Sequence, residues 1–237
     1  MVKIPAEMDK LTANEWREIG FSRAEFEDRW KARLERDKGS PAIGSDAPDF
    51  ELEVLSRAGK QTGTFLKLSS FYGKPIGLVF GSYTWPPFRE QAVRLVEIYN
   101  DLKEQVVFLC VYIKEAHPLD GWVLPVNTAE SIEVQSPSSI EERAQIASTC
   151  MLRYDFPFTM LIDNINDEAE EKYRSEPDRL YVIDKEGKVA WKSDLGPFYF
   201  DVESWQKEIK SLIWSRKKVA FGTRIKKIKN NTRLTIK

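Results

Sequence analysis

Glu115 and His117, two positions apart, offer the side chains of a general acid and its supporting carboxylate, and His117 is the sole histidine of the chain. An imidazole titrates near neutrality, so beside a carboxylate it can hold or give a proton to a reacting group. A lone histidine is also commonly a satisfied core residue, and that reading stands beside the catalytic one. The stretch Gly81-Ser82-Tyr83-Thr84-Trp85-Pro86-Pro87-Phe88 supplies the place for a nucleophile. It follows the apolar run Ile76-Gly77-Leu78-Val79-Phe80 and opens a helical pattern, so its residues sit at the positive end of a helix. Such an end lowers a thiol's pKa from about 8.5 toward neutrality and makes the anionic nucleophile available. Trp85 occupies this place, at or next to the N-cap. An N-cap favours a short polar acceptor, and indole offers none. A thiolate or selenolate would suit the position.

These residues need elements to hold them. Pro86 and Pro87 fit a first helical turn, where a missing N–H is tolerated. Phe88, Ala92, Leu95, Tyr99 and Leu102 then recur at spacings of four and three, the stripe of a helix packed on a sheet. The near-continuous apolar run Val106 to Ile113 reads as a strand buried on both faces. Strand, helix, strand at this spacing is a βαβ unit with parallel strands. Their carboxyl ends share one edge of the sheet, which brings the Ser82 to Trp85 loop near Glu115 and His117.

Charge nearly balances, with 36 Lys and Arg against 37 Asp and Glu in 237 residues, but residues 214–237 hold nine of the basic residues and no acid. This basic tail reads as a solvated extension or one lying on the acidic body, the alternative being a contact for nucleic acid or an acidic surface; nucleic acid is not the expected partner. The two cysteines, Cys110 and Cys150, fit neither a CxxC nor a metal-ligand spacing, so no disulfide scaffold and no metal site are expected. Both fall on apolar stripes and read as core. At the N-terminus, Thr12 with Glu15 and Ser22 with Glu25 read as capping boxes of two short helices, the first ended by Gly20 and the second striped by Phe26, Trp30 and Leu34. They form a helical appendage over residues 1–38 that either packs on the main domain or binds a partner. Lys38 to Ser45 is a linker by composition. Residues 123–138 read as a surface loop, Ser139 caps a helix with Ile140, Ala144, Ala147, Met151 and Tyr154 inward, and Phe158 to Asp163 is a strand. Leu180–Asp184 and Lys188–Lys192 flank a Lys185-Glu186-Gly187 turn as a hairpin, and Asp201 caps a last helix.

The run Gly81 to Phe88 resembles the active-site loop of the iodothyronine deiodinases, thioredoxin-fold enzymes with selenocysteine, or cysteine in some relatives, where this chain has Trp85. Tyr112-Ile113-Lys114-Glu115-Ala116-His117-Pro118-Leu119-Asp120-Gly121-Trp122, Phe156-Pro157, Pro177-Asp178-Arg179-Leu180-Tyr181-Val182-Ile183 and Gly196-Pro197 also match. Ala47 to Leu52 and Leu68 to Pro75 resemble segments of peroxiredoxin-like redoxins that lead into the central strand. The resemblance implies an α/β thioredoxin fold over residues 47–213.

It also implies roles. Residue 85 would attack a halogen or peroxide, His117 would donate a proton, and Glu115 would orient or share it. Ser82 and Thr84 would hydrogen-bond the substrate, and Arg179 would hold an anionic group, its alternative being an ion pair with Asp178 or Glu176. Tyr83 stands where the family can have cysteine, so regeneration would fall to Cys150 or an external thiol. No bound cofactor is implied. The expected partners are a small-molecule substrate and a thiol reductant, with a homodimer left open. With Trp genuine at position 85, the chain is a binding module without this chemistry; with a UGA codon there, which signals selenocysteine in this family, it is a selenoenzyme. A peroxiredoxin-like peroxidase is the rival activity. The vertebrate family members have an N-terminal membrane anchor; no secretory signal and no apolar run of about 18 residues is found here, so a cytoplasmic protein free of the membrane is expected.

Overall fold

The computed structural model describes residues 3–18 and 22–214. Gly20 and the basic tail beyond residue 214 lie outside the described residues. Three N-terminal helices, α1 (Ala6–Asp9), α2 (Ala13–Glu18) and α3 (Arg23–Asp37), precede a mixed sheet. Its strands are β1 (Glu51–Leu55), β2 (Gln61–Lys67), β3 (Ile76–Gly81), β4 (Val107–Tyr112), β5 (Thr159–Ile162), β6 (Arg179–Ile183) and β7 (Val189–Lys192), in spatial order β2-β1-β5-β4-β3-β6-β7. The helices between them are α4 (Pro86–Glu90), α5 (Ala92–Leu102), α6 (Pro125–Ala129), α7 (Ile140–Arg153) and α8 (Glu168–Tyr173), and a last helix, α9, spans residues 202–214.

β3 and β4 pair in parallel from Ile76↔Val107 to Gly81↔Tyr112, and β4 pairs in parallel with β5. β6 runs antiparallel on the other side of β3. Every residue of β3 is buried, because α4, α5, α7 and α9 cover one face with Leu95, Ile98, Ala147, Met151 and Trp205 while Leu52, Leu68, Tyr173 and Tyr181 fill the other. This arrangement is why β3 and β4 read as continuous apolar runs and not as alternating ones. The carboxyl ends of β3 and β4 meet at one edge, where the Ile113 N–H donates to the Gly81 carbonyl at 3.1 Å.

The single helix expected from Pro86 to Leu102 is broken at Gln91, whose ψ of −1° ends α4 and begins α5. Ile98 consequently takes a fully buried place and Tyr99 a half-buried one. Both N-terminal capping boxes form, with Thr12 and Glu15 bonded reciprocally and Ser22 and Glu25 likewise. On α3, Trp30 is buried and Phe26 half-buried, whereas Leu34 faces solvent and does not extend the stripe. Ile4, Trp16 and Trp30 pack on Leu195, with Phe26 and Phe198 around them, so these helices lie against the segment that follows β7. The loop expected over 123–138 contains α6, which buries Asn127.

Candidate functional site

The Ser82 to Trp85 loop leaves β3 and enters α4 with Trp85 as its N-cap residue (φ −94°, ψ 106°) and Pro86 and Pro87 in the first turn. No side chain caps this helix end, because indole has no acceptor to offer. Gly81 lets the loop fold back closely: a Cβ there would lie 2.4 Å from the Phe88 ring. The backbone of the loop is held by buried partners from β4 and beyond. The Tyr83 N–H donates to the Tyr112 hydroxyl at 2.9 Å, the Arg89 guanidinium donates to the Tyr83 carbonyl at 2.8 Å, and Asn127 Nδ2 donates to the Thr84 carbonyl at 2.8 Å.

Thr84 joins the two sides of the site. Its N–H and its hydroxyl both donate to Glu115 Oε2, at 2.9 and 2.7 Å, while the hydroxyl oxygen accepts the His117 backbone N–H at 3.0 Å. The Tyr112 hydroxyl donates to Glu115 Oε1 in a short bond. Burial raises the Glu115 carboxyl above its ordinary range, against the lowering effect of its Tyr112 and Thr84 donors. Glu115 therefore does not reach the His117 ring, as a direct acid–carboxylate pair would require. Its coupling to His117 runs through Thr84.

The His117 ring is fixed by other contacts. Nδ1 lies 2.8 Å from the Trp122 carbonyl, which can only accept, so Nδ1 carries the proton and Nε2 has the lone pair when the ring is neutral. Nε2 is buried and has no hydrogen-bond partner. Burial lowers the His117 pKa, and Arg89 adds to this while the Trp122 carbonyl opposes it. The ring stacks on the Trp85 indole at 5.2 Å between centroids and 17° between planes, and Trp122 packs edge-on against it at 4.6 Å. The indole's Nε1–H donates to Asp178 Oδ2 at 2.7 Å.

Trp85, Thr84, Glu115 and His117 thus come together as expected, with Ser82 beside them accepting the Ala116 N–H at 3.4 Å. Ser82 and Thr84 are fully buried and spent on the loop itself, so they position the site and do not face a substrate. Arg179 is a correction. It is fully buried, and its guanidinium goes to Asp37 of α3 at 2.5 Å and to the Ser193 carbonyl at 3.0 Å. Its ion pair is with Asp37 and not with Asp178 or Glu176, because α3 supplies the counterion, and its buried Nη2 has no hydrogen-bond partner among the described residues. Cys150 is likewise excluded as a regenerating thiol: it is fully buried beneath α7, and burial holds its pKa well above the ordinary value. Burial also pushes the Cys110 thiol up to about 12. Tyr112, Asn127 and Asp178 belong to the site without having been singled out for it. Tyr112 and Asp178 lay in stretches that match the family motifs, whereas Asn127 lay in a segment read as a surface loop.

The iodothyronine deiodinase family profile matches residues 1–212. Type II iodothyronine deiodinase of Sus scrofa is 28% identical over 210 residues, covering 82% of this chain and 77% of that one. The Homo sapiens protein of the same name is 28% identical with coverages of 82% and 76%, and that of Fundulus heteroclitus is 31% identical with coverages of 68% and 63%. Among solved structures, peroxidoxin BcpB from Mycobacterium tuberculosis superposes with a TM-score of 0.50 at 13% identity, over 73% of this chain and 98% of that one, a likeness of thioredoxin-type fold alone. These relatives correct the cytoplasmic, membrane-free location expected from the sequence, since type II deiodinases are membrane proteins. No helix among the described residues is long and apolar enough to cross a membrane. With the profile matched along nearly the whole described chain, the protein belongs to the iodothyronine deiodinase family.

Proposed function

We propose that this deiodinase-like thioredoxin-fold oxidoreductase removes halogen from a small iodinated aromatic substrate at the expense of an external thiol, and that its native residue 85 is selenocysteine from a UGA codon rendered as tryptophan. One observation carries this reading. A helix N-terminus, a histidine with an unpartnered buried Nε2 and a buried carboxyl all converge on the side chain of residue 85, and the indole there can neither ionise usefully nor accept a halogen.

Pro86 and Pro87 carry no N–H at the start of α4, so a selenolate there is favoured by the His117 ring stacked beside residue 85 and not by uncapped donors. It attacks iodine, forming a selenium–iodine bond as the carbon–iodine bond breaks; the released electron pair stays on the ring carbon, which takes a proton. One thiol then displaces iodide from selenium, and a second restores the selenol and leaves as a disulfide. His117, whose ring stacks on the side chain of residue 85, is the proton donor to the substrate carbon. Burial keeps it neutral at pH 7 on its own, and an anion on residue 85 beside it offsets that cost and favours the protonated ring. Glu115 and Thr84 hold the loop and the His117 backbone in register. Since Cys150 is sealed in the core, both thiols come from outside the chain.

The test uses the Trp85→Cys variant with dithiothreitol and an iodinated phenol. Iodide release is expected from the variant and none from the Trp85 chain, and His117→Asn in the variant background lowers the rate about 100-fold or more. A folded Trp85→Cys variant that consumes hydrogen peroxide but releases no iodide would overturn the reading in favour of a peroxidase.

A further inference from the structure

Asp178 is a buried carboxyl that the scheme above leaves without a task. It is 1% exposed and lies immediately before β6, on the strand that flanks β3. Oδ2 accepts the Trp85 indole N–H, while Oδ1 is buried with no hydrogen bond to any described residue. No ion pair joins it to a described residue: Arg179 is taken by Asp37, and Arg33 of α3 donates to the Glu176 carbonyl at 3.4 Å. The backbone makes room for it, since a Cβ on Gly196 would lie 1.5 Å from Oδ1. A buried carboxylate whose cations stand off and whose Oδ1 has no donor is costly to keep ionised. Its one partner is the side chain of residue 85.

We propose that Asp178 is the proton acceptor for residue 85, a role that rests on the reading of that residue as a selenol or thiol. The chalcogen–hydrogen bond breaks and the proton passes to the Asp178 carboxylate through a water that takes up the space the indole ring fills. The negative charge moves from oxygen to selenium or sulfur, and Asp178 becomes the neutral acid. No net charge is created in the buried site, so the transfer avoids the desolvation cost of a second anion. The groups facing Asp178 are Arg33 from α3 and Arg179 beside it, which favour its carboxylate, and His117 across the residue-85 side chain. Burial outweighs the Trp85 N–H and the two arginines and raises its pKa to about 7, within the range in which an activated thiol titrates. His117 is then left for the other proton of the reaction, the one taken by the substrate carbon.

The experiment compares iodoacetamide alkylation of Trp85→Cys with that of Trp85→Cys/Asp178→Asn across the pH range. Cys110 and Cys150 are buried, so the Trp85 chain supplies the background. Trp85→Cys is expected to titrate in two steps, as a thiol and carboxyl that share a proton do. Asp178→Asn removes the alkaline step and shifts the midpoint by about one pH unit or more. Superimposable profiles would overturn the proposal. An independent readout needs no Asp178 variant: in the Trp85 chain, the indole N–H resonance lost on Trp85→Phe shifts with pH as Asp178 titrates, and a resonance that stays fixed overturns the proposal too. A UGG codon at position 85 removes the selenocysteine reading and leaves both measurements unchanged, so the two ideas fail separately.

Discussion

The Thr84 hydroxyl donates to Glu115 and accepts from the His117 backbone, so a single oxygen links both halves of the site. Thr84→Val keeps the shape and deletes that oxygen, leaving a buried N–H without an acceptor and a buried carboxyl with one donor fewer. A loss of about 1–3 kcal/mol in denaturant unfolding is expected, and Thr84→Ser restores most of it. Asp178 gives a second residue-scale prediction. Its carboxyl is raised in the folded protein to about 7 from an ordinary 3.8, so the native state is penalised when it ionises. That penalty is absent below the unfolded value, grows as pH rises and is complete above about 7. Asp178→Asn therefore gains more thermal stability at pH 8 than at pH 5, read by paired melting curves; an equal gain at both would contradict it. At this scale Glu115 and His117 were legible from their types and their place across from the loop, whereas Thr84 entered only through the family resemblance, and as a substrate contact. Tyr112 and Asn127 were not legible, since a tyrosine inside an apolar strand and an asparagine in a polar loop look ordinary until a partner distant in sequence meets them. Arg179 was misread for the same reason: its acidic sequence neighbours suggested a counterion that α3 in fact provides.

Among the elements, the β3–α4 turn sets the geometry. Phe88 packs so closely on Gly81 that a Cβ there would sit inside its ring contact. Gly81→Ala should therefore cost about 1–3 kcal/mol through displacement of the Phe88 ring and move the Trp85 environment with it. Unchanged stability together with unchanged near-UV circular dichroism would contradict this. The β3–β4 unit was readable from apolar runs and turn residues, since burial on both faces leaves that imprint. β2 was missed because nearly all its residues, Gln61 to Lys67, are exposed at the sheet edge and carry no alternation. α8 was missed because Glu168–Tyr173 is a single short, acidic segment; its N-terminal N–H groups at Ala169 and Glu170 are satisfied by Asp163, a long-range feature that no local pattern shows.

For the molecule as a whole, the N-terminal helices are tied to the domain by charge as well as by Trp16 and Trp30. Asp37 pairs with the fully buried Arg179, and Arg36 pairs with the fully buried Glu170. Asp37→Ala strands the Arg179 charge beside Asp178 and should cost about 3 kcal/mol or more, measured by urea unfolding. A change within error would mean that the α3 contact is incidental. The thioredoxin-type domain was legible as a whole because strand runs and loop motifs agree with one another, whereas the location was not, because it was inferred from the lack of an apolar run and an absence carries no address. The central claim is that a site assembled for a chalcogen nucleophile has selenocysteine at position 85 in the native protein. Mass spectrometry of the peptide spanning residue 85, purified from the native source, tests it most directly. The account predicts the selenium isotope pattern at that position, encoded by UGA; a tryptophan mass there, encoded by UGG, would contradict it.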